Sequence, residues 1–82
     1  MSKLETIDGE LYIGENKVLK GWESYSGWYW FATELNADGY HYGYVQGMYD
    51  EWGSFSQDEL ESLGAKVWEI KEIDLPYAGR RD

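Results

Sequence analysis

Apolar and polar positions along this chain form short runs broken by turn residues, the texture of strands and not of long helices. Glu10 to Ile13 and Lys17 to about Ser24 read as strands, joined by a turn at Gly14-Glu15-Asn16. Trp28 to Leu35 is the next strand, dense in aromatic side chains that suit a pleated surface. Asn36-Ala37-Asp38-Gly39 has the residues of a tight hairpin turn, with Gly39 free to take a positive φ. Tyr40 to Met48 returns as its partner, and Lys66 to Ile73 reads as a final strand. The single proline, Pro76, interrupts none of these.

One helix start is written into the sequence. Ser56 lies three residues before Glu59, the spacing of a capping box, in which each side chain satisfies the other's backbone donor. Phe55 and Leu60 take the positions of a hydrophobic staple, Asp58 and Glu59 favour the positive end of the helix dipole, and Gly64 is placed to end the helix. So short a helix does not persist alone, so Phe55, Leu60 and Leu63 are expected to dock it on the sheet. The fold class expected is α+β: an antiparallel sheet of about five strands with one short helix near residues 57–63, in a single domain over residues 1–82.

The aromatic hairpin implies a register. With Leu35 facing Tyr40, one face carries Trp28, Trp30, Ala32 and Glu34 opposite Gly47, Val45, Gly43 and His41. The other carries Tyr29, Phe31, Thr33 and Leu35 opposite Gln46, Tyr44, Tyr42 and Tyr40. Indoles beside glycines leave room for close packing, which assigns the first face to the core, with Trp28 and Trp30 buried beside Val45, Leu60 and Leu63. The second face is rich in tyrosine, which tolerates a half-wet position because its ring is apolar and its hydroxyl needs a partner. Left open, it is an amphipathic patch of the kind that marks an interaction site, with Tyr29, Phe31, Tyr40, Tyr42, Tyr44 and Gln46 as partner-binding residues. The competing expectation is that the N-terminal hairpin or the C-terminal LPYAGRRD segment folds over it.

Composition narrows the function classes. A chain of 82 residues has little core to spare, and five Trp, eight Tyr and two Phe fill it efficiently. Without cysteine, disulfides and thiolate metal sites are excluded. No apolar run approaches the ~20 residues of a membrane span, and MSKLETIDGELYIG lacks the apolar stretch of a signal peptide. A cytoplasmic protein with no membrane partner is expected. Sixteen acids against seven bases give a net charge of −9, and between Gly21 and Ala65 there are eight acids and no lysine or arginine. Contact with a nucleic-acid backbone needs cations, so direct nucleic-acid binding is not expected. The acidity serves solubility, or steers a basic protein partner to this surface.

Catalytic chemistry finds little to build on. His41 is the only histidine, and the register sets Glu34 opposite it, which is half a metal site at best. An exposed cross-strand pair is the plainer reading. Asp50, Glu51, Asp58, Glu59 and Glu61 lack the spacing of a calcium loop. No Ser-His-Asp ordering, phosphate-binding loop or nucleophile elbow is present. Neither enzyme activity nor a cofactor is expected.

Three stretches carry a resemblance: WYWFATE at 28–34, YGYVQG at 42–47 and EWGSFSQDEL at 51–60. In this order they resemble an uncharacterised domain family carried by phages, plasmids and other mobile elements. The resemblance covers residues 28–60 of 82 and implies an accessory role in such elements, with no catalytic residues and no known activity. Three functions then stand side by side. The first is a protein-interaction module whose Tyr-rich face and acidic rim bind a basic partner. The second is an acidic nucleic-acid mimic that fills the cationic groove of a DNA- or RNA-binding protein. The third is a carbohydrate-binding module. Salt separates them, because binding by mimicry falls steeply with ionic strength and sugar stacking hardly at all.

Overall fold

The computed structural model describes residues 4–79. β1 (Leu4–Ile7), β2 (Glu10–Ile13) and β3 (Asn16–Lys17) make a three-stranded antiparallel sheet. β4 (Lys20–Ser24), β5 (Tyr29–Glu34), β6 (Tyr40–Gln46), β7 (Asp50–Ser56) and β8 (Val67–Glu69) make a five-stranded one, in the order β7-β6-β5-β4-β8. A single-turn helix, α1 (Gln57–Glu61), follows β7, and short 3-10 turns lie at Gly64–Lys66 and Leu75–Tyr77. The fold is thus sheet-rich and antiparallel with one short helix. The sequence reading omits β1 and β7 and draws the last strand too long. It also joins as one strand over Lys17 to Ser24 what are β3 and β4 in two separate sheets, so the single sheet expected is two.

Local chemistry accounts for three of the joins. Asp8 and Gly9 both take positive φ, 52° and 79°, between the paired residues Ile7 and Glu10. That is the type I′ geometry an Asp-Gly pair favours, and its twist matches the flanking strands. Ser56 accepts the Glu59 amide at 3.2 Å as the helix N-cap, and Phe55 packs against the core cluster that holds Leu60, its ring edge-on to Trp22. The β5–β6 ladder holds Tyr29↔Gln46, Trp30↔Val45, Phe31↔Tyr44 and Ala32↔Gly43, as the turn position requires. A bulge at Thr33 then shifts the register, so Glu34 lies opposite Tyr42 and not opposite His41.

The two faces of the five-stranded sheet are used differently from the expectation. Phe31 and Tyr44 belong to the main core, together with Leu4, Leu11, Ile13 and Val18 from the smaller sheet and its exit and Ile70 and Leu75 from the C-terminal segment. The smaller sheet lies across this face, and the Thr6 hydroxyl donates to the Pro76 carbonyl, tying strand to C-terminal turn. The opposite face holds a smaller core of Trp22, Ala32, Leu60 and Val67, with Trp30 and Phe55 half-buried at its margin. Trp28 is 38% exposed and Leu63 51%, so neither is core, and Val45 is only half-buried. The cause is the shortness of α1. One turn covers Trp22 and Ala32 and reaches no further, so Trp28 instead lies flat over Gly47, where a Cβ would come within 2.3 Å of its ring.

Candidate interaction surface

The six residues expected to form one open patch divide in two. Phe31 and Gln46 are fully buried and Tyr44 is 4% exposed, because the smaller sheet and the chain around Leu75 to Gly79 cover them. This corrects the expected exposure of that face. Tyr29 is half-buried, stacked on Phe31 at 5.6 Å, with its hydroxyl donating to Glu23. The Tyr44 hydroxyl donates to Asp50. The Gln46 amide has no hydrogen-bond partner among the described residues, and neither has the Trp22 indole N–H. Tyr40 and Tyr42 alone remain exposed.

A residue outside the expected set completes what is left of the patch. Trp52, on β7 opposite Tyr44, stacks on Tyr42 with ring centroids 6.0 Å apart and planes 17° from parallel. It also closes over Tyr44 at 5.3 Å, which helps to bury that ring. Tyr42 stays 40% exposed and Trp52 36%. Together with Asn16, Thr33 and Glu34 they line a shallow groove of about 380 Å³ at the corner where β3 approaches the large sheet. The bulge at Thr33 is what brings Glu34 beside Tyr42. Without β7 as a strand, the sequence offered no register for Trp52, so its place in the groove was not legible.

His41 departs from the exposed pair that was expected. It is buried, stacked on Trp22 and edge-on to Phe55. Its Nδ1 accepts the Asn36 backbone N–H at 3.1 Å, which leaves Nε2 to donate to Gln57 Oε1 at 2.7 Å. Gln57 in turn donates to Glu61. The ring therefore pins the β5–β6 turn to the start of α1, a structural duty. Among the described residues no group of three His, Cys, Asp or Glu is placed to hold a metal ion, and no helix is long and apolar enough to cross a membrane.

A larger cleft of about 920 Å³ lies between the smaller sheet and the C-terminal segment. Its charges are mixed: Lys17 and Lys20 face Asp8, Glu10, Glu69 and Glu72. Lys17 is paired with Glu10 at 2.9 Å, and the hydrogen bond and charge of that carboxylate hold its ammonium above the ordinary value of 10.5. The cleft is thus acidic on balance but carries two lysines of its own, one of them already paired with a carboxylate. The Tyr42–Trp52 groove presents rings and a carboxylate in a stretch of chain without a cation. In comparison with known proteins, no family model, curated protein or solved structure matches this chain.

Proposed function

We propose that this protein is a non-enzymatic interaction module that takes a basic protein partner at the Tyr42–Trp52 groove, as a cytoplasmic accessory protein of a phage or other mobile element. The observation that carries the reading is the exposed, stacked Tyr42–Trp52 pair beside Glu34, inside a segment with eight acids and no lysine or arginine. A guanidinium or ammonium over an aromatic face gains from the ring quadrupole, by about 0.5–2 kcal/mol according to how far it is desolvated. Glu34 supplies the opposite charge at the groove wall. The surrounding acids act over longer range, raising the association rate and making it salt-sensitive. Tyr40 and Tyr42 remain as contact residues from the expected patch, with Trp52 added to them.

One observation favours a second reading. Asn16, Thr33 and Glu34 are hydroxyl partners placed around an aromatic wall, as a sugar ring would need. Selection of a random displayed peptide library on the intact protein separates the two. The interaction reading expects recovered sequences rich in Lys and Arg, affinity that falls as salt rises, and a loss of about 1–3 kcal/mol on Tyr42→Ala. Recovered peptides without basic residues, or indifferent to Tyr42→Ala, would overturn it. Salt-insensitive binding to a glycan array, removed by Tyr42→Ala, would establish the sugar reading instead.

A further inference from the structure

β7 is the outer strand of the five-stranded sheet and runs seven residues with an unbroken register against β6. Its backbone polarity can be worked out from its two ends. Gln57 donates its N–H to the Gly39 carbonyl, and Gly47 donates to Tyr49, so the pairs 39/57 and 47/49 are hydrogen-bonded ones. Hydrogen-bonded pairs recur at every second residue of an antiparallel ladder, which makes 41/55, 43/53 and 45/51 hydrogen-bonded too. Glu51, Gly53 and Phe55 therefore turn their N–H and C=O groups inward to β6. Trp52 and Ser54 turn theirs outward, where no strand of the described residues pairs with them.

Proteins commonly blunt such an edge with lysine, proline, a bulge or brevity. β8, at the other edge of the same sheet, is three residues long with Lys66 and Lys71 close by in sequence. β7 has no lysine, proline or bulge and is seven residues long, and the only charges it carries are the acids Asp50 and Glu51 at its start. Its centre is Trp52-Gly53-Ser54-Phe55, and nothing lies within 4 Å of where a Cβ on Gly53 would stand. We infer that β7 accepts an extended, lysine- or arginine-bearing segment of the partner protein as a sixth strand. The inference rests on the basic-partner reading above and adds the binding mode, strand addition, in which main-chain hydrogen bonds give affinity and alternate side chains give specificity. Side chains of the added strand level with Trp52 and Ser54 would lie on the face of the Tyr42–Trp52 groove, which suits cations. Those level with Gly53 would lie on the opposite face over open space, which suits small apolar groups. Charge decides the occupant. A second copy would set a chain of net charge −9 against another, with Glu51, Asp58 and Glu59 repeated across the junction. A basic strand neutralises them.

The probes are a synthetic peptide alternating lysine with valine, and the same peptide N-methylated at every second amide along one edge. Binding is read from amide shifts and hydrogen exchange of the labelled, full-length protein. The variant is Ser54→Pro, which removes one outward N–H and leaves the β6–β7 ladder intact. The expected result is binding of the first peptide, slowed exchange at Trp52 and Ser54, at least tenfold weaker binding by Ser54→Pro, and no binding of the N-methylated peptide. Equal binding of both peptides, weakened by Tyr42→Ala, would overturn strand addition while keeping the basic-partner reading. Binding of neither peptide would overturn both. A dimer seen by sedimentation and dissolved by Ser54→Pro would make the occupant a second copy and overturn the inference as stated.

Discussion

Phe31 and Tyr42 lie on the same face of neighbouring strands and have opposite fates, one wholly buried and the other open. Which aromatic closes the core depends on what the rest of the chain lays over it. The period-two pattern assigned each side chain to a face correctly up to the bulge, but it carries no information about which face is covered. Gln46 shows the consequence. Read as a contact residue, it is a fully buried amide with no hydrogen-bond partner among the described residues. Gln46→Met, similar in shape and free of the desolvation cost, is expected to raise stability by about 1–3 kcal/mol in urea unfolding. A lower midpoint would mean that the amide is satisfied in solution. His41→Ala is expected to lose about 1–3 kcal/mol, because the Asn36 N–H and Gln57 lose their shared partner. A neutral result would return His41 to the role of a surface residue.

Elements were legible where a local rule suffices. The cap at Ser56 follows from spacing alone, and Ser56→Ala should cost about 0.5–2 kcal/mol in thermal or denaturant unfolding without altering peptide binding. Four pairs of the β5–β6 ladder follow from the turn at Asn36 to Gly39. Asp8-Gly9, the turn that joins β1 to the expected strand β2, is equally local. β7 was hidden for a different reason. Two acids, a central glycine, two serines and two aromatics read as turn and cap residues unless the partner strand is known. The bulge at Thr33 was hidden likewise, since an extra residue leaves no mark on composition. The assignment of β7 makes a firm expectation for native-state hydrogen exchange. Amides of Glu51, Gly53 and Phe55 should exchange slowly and those of Trp52 and Ser54 fast, with the reverse pattern meaning that the strand is in a different register.

Across the whole molecule, one aromatic sheet face is part covered and part open. The smaller sheet and the C-terminal segment cover Phe31, Tyr44 and Gln46, and stop short of Tyr42 and Trp52. Charge is divided in parallel, with no lysine or arginine between Gly21 and Ala65. Under the proposed function Tyr42 serves a partner, and the fold can then spare it. Urea unfolding of Phe31→Ala and Tyr42→Ala, side by side, tests this most directly. Phe31→Ala should lose ~3–5 kcal/mol, enough to unfold much of so small a domain. Tyr42→Ala should stay within about 0.5 kcal/mol of the parent protein. Comparable losses in both variants would place Tyr42 in the core and leave the groove without a surface to offer.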